Sequence, residues 1–258
     1  MLLTIDVGNT NTVLGVHDGE DLKAHWRLTT RREQTADEYG ILVRSLFAAS
    51  SIDVAQIVGI ALASVVPPLT SVVVTLCRTY LGHEPLVIEP GVKTGMPILY
   101  EPPSDVGADR IVNGVAAFAA YGGPVIVVDF GTATTFDVVT KKGEYIGGVI
   151  CPGVGISADA LFQRAARLPR VDLRSPGKVI GRSTVGSIQS GLYFGYASMV
   201  EGIIKRIRAE LGEPARAVAT GGLAESLAAD VPSIEAVDPV LTLTGLRLIW
   251  GRNRAAAR

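Results

Sequence analysis

The chain says one unusual phrase twice. Leu2–Val16 reads LLTIDVGNTNTVLGV and Pro124–Val139 reads PVIVVDFGTATTFDVV. Each copy is an apolar run ending in Asp-x-Gly, then small hydroxyl or amide residues, then a second apolar run. A short, wholly apolar run reads as a buried strand, and the glycine-centred break reads as a hairpin turn. The next stretch of each copy repeats as well. His17-Asp18-Gly19-Glu20 turns into a strand over Asp21–Thr30, and Lys141-Lys142-Gly143 turns into one over Tyr145–Ile150. Gly8 aligns with Gly131, and Gly19 falls almost in register with Gly143. The expected architecture is α/β: two similar halves, residues 1–122 and 123–258, each opening with three antiparallel strands and facing the other across a cleft. The long spacing marks a duplication, not a short-period solenoid.

The rest of each half reads as mixed strands and helices. Thr35-Ala-Asp-Glu38 has capping-box spacing ahead of an amphipathic helix through Ala49. Ile57–Val66 reads as a buried strand, Pro67-Pro68 ends it, a helix runs to Leu81, and Pro85–Glu89 is a further strand. Pro90–Ala108 is long, irregular and rich in Gly and Pro, the kind of connection that usually serves function. A helix begins at Asp109 and stops at Gly122-Gly123. In the second half, helices are expected over Ser157–Arg167, Ser187–Leu211, Leu223–Ala229 and Leu241–Trp250, with a strand over Ala215–Thr220. The Ser187–Leu211 helix has an apolar stripe that serves either a subunit interface or the core of its own half.

Composition excludes several classes. The formal net charge is −1, so no global field recruits nucleic acid or an anionic membrane surface. No apolar run approaches the ~20 residues that span a bilayer, and Asp6 interrupts the first. Cys77 and Cys151 are too sparse for a disulfide framework, and His17, His25 and His83 share no ligand spacing. A cytoplasmic enzyme without a zinc site is the expectation.

A strand that ends in Asp-x-Gly and turns tightly presents backbone N–H groups in one direction, an anion-binding nest that needs no lysine. Gly8 and Gly131 let the backbone approach a phosphate, and Asn9, Thr10, Asn11, Thr12 and Thr132 add polar side chains around the Asp6-Val7 and Asp129 ends. Asp6 and Asp129 cannot sit on phosphate directly, but each can hold a cation. One such turn alone is more often an ordinary hairpin; two in equivalent places point to a nucleotide. Gly221-Gly222 after a late strand offers bare backbone to adenosine, though it also suits an ordinary turn. Rival phosphate motifs are missing. GKVIGRST (Gly177–Thr184) lacks P-loop spacing, and no G-x-G-x-x-G opens a helix after a strand.

These features resemble the actin, sugar-kinase and acetate-kinase superfamily, with its duplicated actin-like (ribonuclease H-like) fold. More narrowly, DVGNTN (Asp6–Asn11), GADR (Gly107–Arg110), DFGTATTFD (Asp129–Asp137) and TGG (Thr220–Gly222), supported by SIQSGLYFG (Ser187–Gly195), are similar to type III pantothenate kinases over nearly the whole chain. The resemblance implies transfer of the ATP γ-phosphoryl group to pantothenate, a cytoplasmic homodimer, Mg²⁺ with ATP, and a monovalent cation, K⁺ or NH₄⁺. It implies Asp109 as general base, with Tyr100, Gly107, Ala108, Arg110 and Thr184 binding pantothenate. It places Asp129 on the monovalent cation and Thr132 on the nucleotide.

Apart from the resemblance, each residue has a plainer alternative. Asp109 at a helix start also suits an N-cap, Arg110 a surface ion pair, Tyr100 an aromatic plug and Thr184 a turn. Rival functions are another kinase or phosphohydrolase on the same fold, a transcriptional accessory factor, and an actin-like structural protein. The family pattern does not explain the C-terminal NRAAAR.

Overall fold

The computed structural model describes residues 1–165 and 167–254. Among the described residues ten strands run in the order β1 (Leu2–Val7), β2 (Asn11–Asp18), β3 (Asp21–Thr29), β4 (Gly59–Ser64), β5 (Leu86–Val87), β6 (Val125–Phe130), β7 (Ala133–Val139), β8 (Tyr145–Pro152), β9 (Arg216–Thr220) and β10 (Ile234–Val237). The α-helices are α1 (Ala36–Ala49), α2 (Pro67–Leu81), α3 (Ala108–Tyr121), α4 (Val154–Arg164), α5 (Thr184–Leu211), α6 (Ala224–Ala228) and α7 (Leu241–Arg254). Among the described residues no helix is long and apolar enough to cross a membrane.

The chain forms two compact units. The first is Met1–Ala116 with the C-terminal helix, and the second is Ala117–Val240. The first holds a five-stranded sheet in the order β3-β2-β1-β4-β5, the second one in the order β10-β9-β6-β7-β8. In each, the opening strands pair antiparallel and the later ones join in parallel, β1 to β4 and β6 to β9. The duplication extends to strand order and direction, with the β6–β7 turn one residue shorter than the β1–β2 turn: Asp6 lies across from Val13 and Ala63, and Asp129 across from Thr135 and Thr220. The hairpin glycines Gly19 and Gly143 both take positive φ, +61° and +80°, which a side chain rarely adopts.

In the first unit α1 and α2 pack as a pair over the sheet, around Leu3, Ile5, Val43, Phe47, Leu69 and Val73. The capping box forms as expected, with Thr35 N–H donating to Glu38 Oε2 at 2.8 Å and Glu38 N–H to Thr35 Oγ1 at 3.3 Å. Helix α7, expected with the second half from its place in the chain, belongs instead to the first unit and packs on β1, β2 and β4. The reason is visible in the small residues beneath it. A side chain at Gly59 would meet the Trp250 ring at 2.5 Å, and one at Gly15 would meet Leu243 at 2.8 Å. His17 on β2 is 2% exposed, with Nε2 3.2 Å from the Thr4 hydroxyl. Burial and the nearby Arg247 charge push its pKa down to about 4, so it is neutral near neutral pH.

In the second unit α5 buries Ile188, Leu192, Tyr193, Val200 and Ile204 in the core formed with β6, β9 and α6. Of the expected stripe, Ile188 and Leu192 lie in this core, and Met199, Ile203, Ile207 and Leu211 pack against it half-buried. The helix starts earlier than the stripe predicts, at Thr184, because Ser183 caps it by accepting from Gly186 N–H at 3.1 Å. Helix α4 likewise starts at Val154, after Gly153. Strand β10 is an addition that sequence patterning does not show, and β5 shrinks to Leu86–Val87.

Candidate active site

In the first unit the turn between β1 and β2 holds Gly8, Asn9 and Thr10. Gly8 N–H donates to Asn11 O at 3.0 Å, which closes the turn. A Cβ on Gly8 would lie 2.9 Å from that same oxygen, so the turn needs glycine. The glycine N–H is consumed inside the turn, and any anion must be met by the residues at the tip, where Asn9 and Thr10 are exposed. Thr12 behaves differently from expectation. It is 2% exposed, and its hydroxyl pairs with Thr30 Oγ1 at 2.9 Å. Thr30 also donates to Gly8 O at 2.8 Å, while its N–H donates to Thr10 O at 2.9 Å. Thr30 therefore staples the tip, a role no local pattern announces. Arg32 reaches Asn9 Oδ1 at 3.4 Å.

The same unit brings the GADR segment to this hairpin through one residue. Val65, just past β4, donates its N–H to Val7 O at 3.0 Å, and its side chain lies 3.7 Å from where a Gly107 Cβ would be. Gly107 is not a spacer. A Cβ there would sit 2.6 Å from Asp109 Oδ1, so glycine leaves the room the carboxylate occupies. Asp109 is not the N-cap. Gly107 O accepts from Arg110 N–H at 3.1 Å and from Ile111 N–H at 3.2 Å, which gives the cap position to Gly107. Asp109 is the second residue of α3, and Arg110 N–H donates to its Oδ1 at 2.8 Å. Burial pushes the Asp109 carboxyl above its ordinary range, outweighing the opposing pull of the Arg110 N–H and charge. A carboxyl held at the first turn of a helix, raised by burial yet ionisable, suits proton acceptance. Arg110 is 8% exposed, so a surface ion pair does not describe it.

The segment leading into α3 borders a cavity of about 320 Å³ lined by Ile88, Val92, Thr94, Met96, Val106 and Ile111, among others. Ala108 contributes to its wall. Tyr100 is half-buried on this segment.

In the second unit the β6–β7 turn is closed by Gly131 N–H donating to Ala133 O at 3.0 Å. Thr132 is exposed at the tip, and its carbonyl accepts from Gly153 N–H at 3.1 Å. Asp129 lies half-buried at the end of β6 beside Gly221. Gly221 has φ +93°, and a Cβ there would run into the Asp129 carboxylate and lie 2.7 Å from the Phe130 carbonyl carbon. The second unit thus gathers Asp129, Gly131, Thr132 and Gly221, with Gly222 next in the chain. Thr184 stands exposed as the first residue of α5. Beneath this hairpin Asp137 is wholly buried, accepting from Tyr145 OH at 2.8 Å and Thr135 Oγ1 at 3.1 Å.

Among the described residues no cluster of three His, Cys, Asp or Glu side chains forms a metal cage. Near the ends of β1 and β6 the carboxylates of Asp6 and Asp129 are the oxygens of a kind that hard cations bind.

Two repeated units with an Asp-x-Gly hairpin in each define a duplicated actin-like fold. Solved structures agree. The chain superposes on an N-acetylglucosamine kinase candidate from Porphyromonas gingivalis with TM-score 0.52 at 13% identity, over 96% of this chain and 99% of that one. A conserved protein from Campylobacter jejuni, assigned to the Baf family of transcriptional activators, gives TM-score 0.62 at 20% identity over 98% and 99%. At such identities these likenesses speak for the fold alone.

The chain belongs to the type III pantothenate kinase family, whose sequence profile matches residues 2–206. It is 58% identical to the type III pantothenate kinase of Moorella thermoacetica, over 98% of this chain and all of that one. It is 57% identical to that of Koribacter versatilis, over 100% of this chain and 98% of that one.

Proposed function

We propose that this protein transfers the γ-phosphoryl group of ATP to the primary hydroxyl of pantothenate, giving 4'-phosphopantothenate, the first step of coenzyme A biosynthesis. The observation that carries the mechanism is the Asp109 carboxyl, seated in the space Gly107 leaves and raised by burial. Asp109 takes the proton of the attacking hydroxyl as its oxygen bonds to the γ-phosphorus and the β–γ bridging bond breaks, the electron pair leaving on ADP. Arg110 pairs with the pantothenate carboxylate. Tyr100, Gly107, Ala108 and Thr184 complete pantothenate binding.

The tips of the two hairpins, Asp6–Thr12 and Gly131-Thr132, serve the phosphates, and Gly221-Gly222 serves adenosine. For Thr12 the contribution is structural support through Thr30, since its hydroxyl is already paired there. Asp6 is the carboxylate suited to Mg²⁺ carried by ATP, and Asp129 the one suited to K⁺ or NH₄⁺. When bound, these cations neutralise phosphate charge.

The protein acts as a cytoplasmic homodimer, without nucleic acid or membrane partners. Free Cys77 and Cys151 accord with a reducing compartment. Ile150 and Ile180 of the second unit, 62% and 84% exposed, supply apolar surface for a second copy.

The test is ADP formation from Mg²⁺-ATP with and without pantothenate, in K⁺ and again in Na⁺. Turnover that needs pantothenate and K⁺, with the K⁺ requirement lost in Asp129→Ala, is the expected result. ADP release that ignores pantothenate would make the protein a phosphohydrolase or a kinase for another acceptor.

A further inference from the structure

The C-terminal helix ends against the segment that leads into the GADR turn. Four apolar side chains of α7, Leu241, Leu243, Leu246 and Ile249, are wholly buried and fix the helix in the first unit. Its last turn then becomes polar and reaches across to residues 93–95. The Asn253 side chain makes two bonds to one residue: its Nδ2 donates to Lys93 O at 3.1 Å, and its Oδ1 accepts from Lys93 N–H at 3.2 Å. This is the pairing one strand would offer another, supplied here by a single amide. The same Nδ2 donates to Ile249 O at 2.8 Å, which fixes the amide's orientation. Arg252 donates to Thr94 O and lies over Gly95. A side chain at Gly95 would meet the guanidinium at 2.8 Å, and the residue takes φ +70°, so the glycine is shaped to the arginine.

The tie is passed on into the loop. Thr94 Oγ1 accepts from Met96 N–H at 3.3 Å and donates to Met96 O at 3.2 Å. Met96 is thereby set into the core, 6% exposed. Val92, Thr94 and Met96 line the 320 Å³ cavity together with Val106, Ala108 and Ile111. Ala108 is the residue before Asp109. The loop also carries short-range backbone bonds, such as Val92 N–H to Glu89 O at 3.2 Å and Asp105 N–H to Pro102 O at 3.1 Å. Such bonds shape a turn locally but do not fix where the loop lies. The bonds from α7 do, because they span 158 and 160 residues of sequence.

We infer that Arg252 and Asn253 are positioning residues for acceptor binding: they clasp residues 93–95, hold the part of the cavity lining that Val92, Thr94 and Met96 supply, and so set pantothenate affinity without touching reacting atoms. The inference rests on the proposed kinase reading for its substrate, and on the geometry alone for the clasp. It also gives the start of the C-terminal NRAAAR a purpose; its last four residues lie outside the described residues.

The test uses Asn253→Ala and Arg252→Ala in the full chain. Hydrogen exchange reads the clasp directly, because the Lys93 amide is one of its donors. Exchange at Lys93 should speed up roughly tenfold or more in Asn253→Ala, while exchange in β1 and β6 stays unchanged. Steady-state kinetics should show KM for pantothenate raised about tenfold, equivalent to roughly 1.4 kcal/mol, with kcat and KM for ATP within about twofold. Faster exchange at Lys93 with an unchanged pantothenate KM would overturn the positioning role. A global rise in exchange, with kcat and both KM values altered together, would overturn it too, since that describes a merely structural helix end. A wild type without pantothenate turnover would sink the kinase reading and leave the clasp to be decided by the Lys93 amide.

Discussion

The two hairpins share a topology and differ in how their tips are held. Both tips have a backbone tie, Thr30 N–H on Thr10 O at 2.9 Å in the first unit and Gly153 N–H on Thr132 O at 3.1 Å in the second. The first unit adds a side chain to it: the Thr30 hydroxyl reaches Gly8 O at 2.8 Å and Thr12 Oγ1 at 2.9 Å, while the corresponding residue of the second is a glycine. The strand beside each carboxylate also leaves differently. After β4 comes Val65, whose N–H ties to Val7 O, while after β9 comes Gly221, with no side chain, under Asp129. At the helix that comes after the fifth strand, α3 begins Ala108-Asp109-Arg110 and α7 begins Leu241-Thr242-Leu243. The two units therefore share a scaffold and depart from each other beside their carboxylates and at these helix starts. The first unit carries the buried Asp109 and the loop beside its cavity, and the second keeps bare backbone beside Asp129.

The sharpest way to break this contrast is to remove the acid. Asp109→Asn keeps an oxygen to accept the Arg110 N–H but cannot take a proton. We expect kcat to fall by about 10³-fold, within the usual range for a lost general base, with KM values little changed. Stability should move the other way. The folded-state pKa of Asp109 is raised by burial, so once deprotonated the folded state holds a buried charge that the unfolded chain hydrates. That penalty is absent below the unfolded pKa and fully present above the folded one, so Asn should raise Tm on the alkaline side of the raised pKa and give no gain in acid. In the wild type, kcat/KM should fall as pH drops through the raised pKa, because protonated Asp109 is no base. A variant that loses stability but keeps turnover would make Asp109 a helix-start residue and nothing more.

Much of this was legible from sequence because it is written locally. Asp-x-Gly turns, turn glycines and the Thr35–Glu38 box depend on neighbours a few residues away, and each formed. Patterning failed where distance in sequence decides. Thr30 acts on Gly8, 22 residues earlier, and Asn253 acts on Lys93, 160 residues earlier; neither has a local signature. Helix α7 looked like the end of the second half, yet its partners are Gly15 and Gly59, whose missing side chains only a structure reveals as docking sites. At Asp109, residue type and helix start are both apparent in the sequence, and they suit a cap as well as a base. What argues against the cap is the Gly107 carbonyl, which accepts from Arg110 and Ile111 N–H, and the burial of the carboxyl is a tertiary fact.

A smaller effect, and one that separates the two units, comes from filling the bare backbone. Gly221→Ala puts a methyl group onto the Asp129 carboxylate at a backbone angle that favours glycine. Strain and overlap together should cost about 2–4 kcal/mol, and the displaced carboxylate should raise KM for ATP roughly tenfold or more. In the first unit the position in register with Gly221 is Ser64, and Val65→Ala, just past it, keeps the Val7 bond and only removes methyl groups, costing about 1 kcal/mol. Thermal melts and ATP titrations of the pair check this. Equal losses in both would mean that the glycine is an ordinary turn and that the asymmetry carries no function.

The smallest expected effect tests the staple itself. Thr30→Val preserves shape and removes one hydroxyl, so the tip loses its bond to Gly8 O and the buried Thr12 hydroxyl loses its partner. The Thr30 N–H to Thr10 O bond is backbone and survives. A net hydrogen bond is worth about 1 kcal/mol, and an orphaned buried hydroxyl costs about as much again. Stability should drop by roughly 1–2 kcal/mol, a few degrees in Tm for a chain of this size. The catalytic consequence should be confined to the nucleotide: KM for ATP up about threefold, the equivalent of roughly 0.7 kcal/mol, and kcat and pantothenate KM unchanged. Thr12→Val in the same background should then cost almost nothing more, because its partner is already gone. If the two substitutions instead add in full, Thr12 meets the phosphates on its own account, and the first hairpin is held by its backbone just as the second is.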